Sequence, residues 1–530
     1  MKNKLIPLIG IFVFAFGIRL LTINDIGRTW DEMTYVALGR NTVNLMISGK
    51  YFKEIERGTK FPEYLWYELP DPPPLARYIY GIFSLGDVQG YDNKGQVILN
   101  YDMTYSRIAS AFFGSLTVIF VVLLGFEFFS LYVALAAGVI FSMLPFFIGL
   151  SQVATVESFI MLTFTASVYI FTKTLQKISL KKIILTGIIS GFALLTKYTN
   201  IFIFPLFLWI YGLWYFGSTK NTYSKKYNIL LIFGLIISVS IITFIVLWPL
   251  IWFHYKEIIE YEIWLRYTST KYPIPEVFFG RLMFVPKIYF LVQFLITTPV
   301  LVLFMFALGL YRILKIDKVA AMNELSRNKW VYLSLIAWFV IPFLQSFYNF
   351  RQHGVRYIIQ IYAPLSLISA VGLEFIVTKI SKKALFKLLS LGMVFIYLAV
   401  ILFNMTPYYF DYFNELVGGA KNVSEEKSFQ LGWWGEGQSE AFKYLIKNAP
   451  YGSRVGKPFY HPLVFPSSDR LVISEYEKSK DYDYVVVAYF DVVRNGFKDN
   501  DVIKKYVPIY YVKTGGANLV TIYKNAKKKQ

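Results

Sequence analysis

Apolar residues in this chain gather into long runs divided by short polar stretches, many of them rich in lysine. A run of roughly 20 apolar residues can cross a bilayer as a helix. By that length about eleven spanning helices are predicted, near residues 5–22, 105–126, 130–149, 152–172, 182–197, 199–216, 228–252, 287–311, 330–348, 356–377 and 385–405. The first run follows Met-Lys-Asn-Lys-Leu and has no small-residue cleavage site after it, so it reads as a retained helix. Charge placement orients the set. With the N-terminus cytoplasmic, four cationic clusters fall on the inside: Lys173, Lys177, Lys181 and Lys182; Lys220, Lys225 and Lys226; Arg312, Lys315, Lys318, Arg327 and Lys329; and Lys379, Lys382, Lys383 and Lys387. That is the positive-inside arrangement.

Three stretches are then placed outside: about 23–104, about 253–286 and everything after about 406. In the last of these the pattern changes, and the runs YDYVVVAYF (482–490) and LVTIYK (519–524) read as strands. SEAFKYLIKNA (439–449) has helical apolar spacing and ends at Pro450. The expected organisation is a mainly α, polytopic membrane domain over 1–406 and a small α/β extracytoplasmic domain over 407–530. No internal repeat is apparent, which weighs against an inverted-repeat transporter.

Composition narrows the class. The chain is 56% hydrophobic and only 17% charged, which fits a membrane protein surrounded by lipid rather than a soluble multidomain chain. With no cysteine there is neither a disulfide nor a thiolate metal site. The net charge of +20 lies largely in the inside loops, so a nucleic-acid partner is not needed to explain it.

Other ionisable residues depart from that trend. Arg107 opens the second helix, Glu157 lies near the outer end of the fourth, and Lys197 and Tyr198 mark the outer turn after the fifth. Arg351, His353 and Arg356 fill a short outer loop before the tenth. Each alone reads equally well as a side chain snorkelling to the headgroups. Together they form a basic outer-leaflet site suited to an anionic headgroup or phosphate. Two acidic elements face the same side. TWDEMTY (29–35) carries Asp31, Glu32 and Tyr35, with Asp31 and Tyr35 four residues apart on one helical face. DPPPLARYIYGIFSLG (71–86) starts with an acid and three prolines, and both segments read as helices lying along the membrane.

Taken in order, these elements resemble the GT-C type membrane glycosyltransferases of the protein O-mannosyltransferase and aminoarabinose-transferase-like superfamily. The resemblance rests on Arg19-Leu20, then Asp31, Glu32 and Tyr35, then Asp71-Pro72-Pro73-Pro74-Leu75-Ala76-Arg77. Arg107, Glu157, the Leu-Thr-Lys-Tyr turn at 195–198, Arg356-Tyr357 with Pro364, YFNELVGG (412–419) and LGWWGEG (431–437) complete it. Trp433 stands where the family has Asp, outside the expected catalytic centre. The resemblance implies a GT-C fold and transfer of a mannose- or aminoarabinose-like sugar. The donor would be a polyprenyl-phosphate lipid, and the acceptor a protein, lipid or polysaccharide on the outer side of the membrane. It implies Asp31 as the base of an inverting displacement, with Glu32 in support and Glu157 positioning the acceptor or a cation. Tyr35, Arg77, Arg107, Lys197, Tyr198, Arg351, His353 and Arg356 are the implied donor-binding residues.

Alternatives stand beside this. Asp31 and Glu32 suit a divalent cation such as Mg or Mn through oxygen ligands, or a charge pair at a helix N-terminus. A transporter or flippase for a lipid-linked anion would use the same outer pocket, but needs broken helices near the midplane. The outer domain carries no motif with chemistry; Trp433 and Trp434 read either as core or as a stack for sugar rings. The Lys-, Ile- and Asn-rich composition points to the plasma (inner) membrane of a prokaryote.

Overall fold

The computed structural model describes residues 2–57, 71–93, 95, 97–217, 229–315, 324–347, 354–460, 465–466, 468–498 and 500–526. Arg351 and His353 lie outside these described residues. The chain opens with α1 (Lys2–Leu20), followed by a loop carrying α2 (Glu32–Ile47), α3 (Tyr51–Arg57), α4 (Leu75–Phe83) and the hairpin β1–β2 (Val88–Tyr91, Val97–Leu99). Next come α5 (Thr104–Phe128), α6 (Leu131–Ser142), α7 (Pro145–Gln152), α8 (Glu157–Gln176), α9 (Leu180–Thr196), α10 (Ile203–Gly217) and α11 (Ile229–Val246). Then follow α12 (Leu250–Lys271), the hairpin β3–β4 (Glu276–Phe278, Arg281–Met283), α13 (Tyr289–Thr297), α14 (Val300–Leu314), α15 (Glu324–Ser346), α16 (Tyr362–Ile380) and α17 (Ala384–Met405).

Among the described residues, five helical segments are long and apolar enough to cross a membrane, and seven if each of two bent pairs is one span. Those pairs are α6–α7, bent by 60°, and α13–α14, bent by 114°. The sequence reading gave each pair as one straight helix. Both breaks precede a proline: Leu144 before Pro145 and Thr298 before Pro299 have extended backbone. The proline ring disfavours helical dihedrals in the preceding residue and removes an amide donor, so the helix stops there. Carbonyls freed at the second break are taken by Asn414 of the YFNELVGG stretch, whose side-chain amide donates to Leu295 O (2.6 Å) and Thr298 O (2.7 Å). Its backbone N–H donates to Ile296 O (2.8 Å). Polar backbone at membrane depth needs such partners.

The described parts of the first loop are held by identifiable contacts. Asp87 accepts from Tyr105 N, Ser106 N and Ser106 Oγ at the start of α5, so an acid caps the positive end of that helix. Helices α2 and α4 touch through glycine. A Cβ at Gly39 would lie 2.1 Å from Arg77 O, and one at Gly81 would lie 2.2 Å from Gly39 O. Only glycine lets these backbones approach so closely, and the approach fixes Arg77 relative to Asp31 and Tyr35.

After α17 the chain builds α18 (Gly419–Glu426), α19 (Gln438–Asn448), β5 (Ser453–Lys457), β6 (Leu471–Glu475), β7 (Tyr484–Ala488), α20 (Tyr489–Val493), α21 (Asn500–Lys505), β8 (Tyr506–Thr514) and β9 (Ala517–Asn525). The sheet order is β6-β5-β7-β9-β8, with β5 parallel to both neighbours and β9 antiparallel to both of its own. The strand-like runs of the sequence lie in β7 and β9, and the helical one in α19. Thr514 Oγ1 donates to Met405 O (2.8 Å), tying this sheet to the end of α17.

Candidate active site

A cavity of about 900 Å³ opens between the first loop, the start of α8, the α9–α10 break, α12 and the turn at Gly354–Ile361. Asp31, Tyr35, Arg77, Glu157, Lys197, Tyr198 and Arg356, all singled out in the sequence, line it. Each is set by a local feature. Asp31 is the N-cap of α2 and Tyr35 lies one turn further on. Glu157 is the first residue of α8, next to Val156, whose turn is held by Tyr80 of α4 donating to Thr155 O (2.6 Å). Lys197 has extended backbone (φ −161°, ψ 138°) that ends α9 and turns the chain into Tyr198.

The carboxylates and cations of this cavity interlock. Arg356 Nη1 donates to Asp31 Oδ2 at 3.0 Å and lies 4.0 Å from Glu157 Oε1. The Arg356 guanidinium also sits over three aromatic rings, Tyr357, Trp433 and Trp434, at 5.3, 5.1 and 4.7 Å from their centroids. Such stacking suits arginine's planar, weakly hydrated cation. Lys197 Nζ lies 4.4 Å from the Tyr357 ring centroid. Removal from water pushes the Tyr35 phenol well above its ordinary range, reinforced by Glu157, Asp31 and Asp71. Tyr35 therefore stays a neutral hydrogen-bond donor at neutral pH.

Glu32 and Arg107 stand elsewhere. Both are fully buried and absent from the cavity lining. Arg107 Nε and Nη2 donate to the two oxygens of Glu32, each at 2.8 Å. Glu32 also accepts from Thr29 N (2.9 Å), Thr29 Oγ1 (3.1 Å) and Ala154 N (2.9 Å). Arg107 continues to Ile23 O (2.7 Å) and Gly27 O. Burial alone would raise Glu32, but the Arg107 charge and these hydrogen bonds outweigh it and hold the carboxyl below the usual range. The pair is a strut joining the first loop to α5 and to the residues before α8. This corrects the donor-binding reading of Arg107 and the direct chemical role given to Glu32. It also bears on a metal. With five hydrogen bonds on its two oxygens, Glu32 does not fit as a ligand sharing a divalent cation with Asp31. Among the described residues no group of three or more His, Asp or Glu is placed to hold a metal ion.

The structure adds residues that the sequence reading did not assign. Asp71, Glu262 and Arg266 line the cavity, bringing its acids to four (Asp31, Asp71, Glu157, Glu262) and its cations to four (Arg77, Lys197, Arg266, Arg356). Glu262 and Arg266 come from α12, four residues apart on one helical face of the outer stretch 253–286, a spacing visible in the sequence. Trp434 is the larger surprise. Its indole Nε1 donates to Asp31 Oδ2 at 3.2 Å across 403 residues. The LGWWGEG loop, whose Trp433 was expected to lie outside the catalytic centre, thus reaches an acid of the cavity through Trp434.

Residues 66–267 match the family model described as dolichyl-phosphate-mannose-protein mannosyltransferase. A search of curated protein sequences gave no match. Among solved structures, ArnT from Cupriavidus metallidurans, bound to undecaprenyl phosphate, is similar over 97% of both chains at 11% identity, with a TM-score of 0.51. The Archaeoglobus fulgidus oligosaccharyltransferase in its apo form is 12% identical over 98% of this chain and 74% of that one, with a TM-score of 0.46. The S. cerevisiae protein O-mannosyltransferase Pmt1-Pmt2 complex, bound to the sugar donor, is 22% identical over 49% of this chain, with a TM-score of 0.36. The match spans 34% of that yeast chain. The likeness to ArnT runs nearly end to end and shows the fold, and the family model shows the resemblance to GT-C type membrane glycosyltransferases read from the sequence.

Proposed function

We propose that this chain, a membrane glycosyltransferase of GT-C type, moves a sugar from a polyprenyl-phosphate donor to an acceptor on the outer side of the membrane. The observation that carries this reading is the Asp31 carboxylate, half-exposed at the mouth of a cavity with four cations in its wall. Asp31 takes the proton of an acceptor hydroxyl as its oxygen attacks the anomeric carbon. The bond from that carbon to the phosphate oxygen breaks, its electron pair leaves with the polyprenyl phosphate, and the anomeric centre inverts. Arg77, Lys197 and Arg356 hold the phosphate and stabilise its charge as it departs. Tyr35 and Tyr198 donate hydrogen bonds, and Glu157 positions the acceptor. The bound undecaprenyl phosphate of ArnT supports a carrier of this class, and the matched mannosyltransferase model supports a hexosyl donor. In this reading eleven spans place residues 23–104, the cavity and everything after 406 outside the plasma membrane.

The test supplies purified protein with radiolabelled undecaprenyl-phosphate mannose and undecaprenyl-phosphate aminoarabinose, together with membrane extract as acceptor source. Wild-type protein is expected to release polyprenyl phosphate and label an acceptor from one of them. Asp31→Asn should lower the rate at least 1000-fold while undecaprenyl phosphate still binds. Full activity in that variant would remove Asp31 from the role of base, and no transfer from either donor would overturn the reading.

A further inference from the structure

The LGWWGEG loop is built to hold its tryptophans in one place. Gly432 N donates to Asp411 Oδ1 (2.7 Å), and Trp434 N donates to Glu436 Oε2 (2.8 Å). Both acids are almost fully buried. Gly432, Gly435 and Gly437 all take positive φ, at 63°, 101° and 77°, which the tight loop requires. Trp433 and Trp434 stack on each other at 4.6 Å with 19° between planes, and Phe410 packs edge-on against both. From this platform the Trp434 indole reaches Asp31 Oδ2, the same oxygen that Arg356 binds. Among the described residues Oδ1 accepts no hydrogen bond.

We propose that Trp434 is a positioning residue for Asp31: with Arg356 it fixes Oδ2, so that Oδ1 is the oxygen presented to the incoming proton. A carboxylate free to rotate would offer its two oxygens in turn and spend much of its time misaligned. Two donors on one oxygen remove that freedom. The stacked Arg356 guanidinium is held by the same indole ring, so one side chain orients both the base and its neighbouring cation. Reaction geometry is sensitive to displacements of about 1 Å, which makes such orientation worth a measurable part of the rate. The inference rests on Asp31 acting as the base, but its physical core, an indole N–H bonded to that carboxylate, is tested without any donor.

Two arms separate the questions. In the first, full-length protein labelled with 15N-tryptophan is compared by NMR, with the Trp434 indole resonance identified by its absence in Trp434→Phe. Asp31→Ala should move that resonance strongly upfield as the hydrogen bond to a carboxylate is lost, whereas Trp433→Phe should leave the bond in place. An unchanged Trp434 resonance in Asp31→Ala overturns the proposal, whether or not a donor has been found. In the second arm, Trp434→Phe keeps an aromatic ring in the stack, smaller than the indole, and removes the N–H. Loss of one hydrogen bond to a charged group predicts a kcat about ten-fold lower, with KM for the donor and affinity for undecaprenyl phosphate within two-fold of wild type. Wild-type kcat in Trp434→Phe, or a change confined to KM, overturns the positioning role. Absence of transfer by the wild type counts against the proposed function instead.

Discussion

Two adjacent acids in one heptapeptide have opposite fates, and α2 explains why. Consecutive helical residues point about 100° apart, so Asp31 turns to the cavity while Glu32 turns inward to Arg107. Removing one member of a buried ion pair leaves the other charged and unsatisfied, which costs about 3–5 kcal/mol. Glu32→Ala is therefore expected to lower the apparent melting temperature in detergent sharply, whereas Asp31→Asn should melt near wild type. Equal melting of the two variants would show that the strut carries no stability. A second buried pair gives a pH signature. Burial, with the Glu436 charge added, pushes Asp411 well above the carboxylate range, and burial pushes Glu436 up to about 7. Asp411 Oδ2 and Glu436 Oε1 have no partner among the described residues. The protonated form is the one the fold favours, so this pair's contribution to stability is greatest at acid pH. It falls as pH rises from the ordinary carboxylate range through about 7. Glu436→Gln keeps an oxygen for Trp434 N and removes the charge. Its melting temperature should fall less than that of the wild type between about pH 5 and 8, and parallel declines would refute the assignment.

At the scale of elements, what was legible followed from spacing within one segment. Asp31 and Tyr35, four residues apart, line the same cavity because an α-helix brings such positions onto one face. The spans near 105–126 and 385–405 match α5 and α17 because uninterrupted apolar runs have one stable conformation in lipid. The bends were written in Pro145 and Pro299, yet an apolar run masks them when length alone is counted. The bond from Trp434 to Asp31 has no local trace at all, since it depends on where an outer loop lands after the whole bundle has formed. The Glu32–Arg107 strut, 75 residues apart, was hidden for the same reason. Close packing of α2 on α4 is intermediate: Gly39 and Gly81 are visible as residues, but their contact is not. Gly81→Ala would set a Cβ 2.2 Å from Gly39 O, so the helices must separate and carry Arg77 away from Asp31. Thermal stability and undecaprenyl phosphate affinity should both fall. Gly212→Ala, where nothing lies within 4 Å, is the matched control and should leave both unchanged.

For the whole molecule, the lysine clusters and the proposed outer-leaflet donor call for the same orientation. The loop between α16 and α17 carries Lys382 and Lys383, a cluster that the positive-inside rule assigns to the cytoplasmic side. The cavity's own cations, Arg77, Lys197, Arg266 and Arg356, are matched by four acids, so they read as a site rather than a topogenic signal. The LGWWGEG loop between α18 and α19 sets Trp434 against Asp31, so that loop lies on the same side of the membrane as Asp31. This makes the orientation testable without any substrate, because the chain has no cysteine and a single one is introduced against a silent background. Asn448, exposed at the end of α19, and Lys382, exposed between α16 and α17, are suitable positions. In intact cells a membrane-impermeant maleimide should label Asn448→Cys and spare Lys382→Cys, which should react only after permeabilisation. The reverse pattern would place the cavity on the cytoplasmic side and remove the outer-leaflet donor on which the proposed transfer depends. Labelling of both in intact cells would instead mean that the loop between α16 and α17 is not sealed from the outside, the behaviour expected of a carrier with access from both faces.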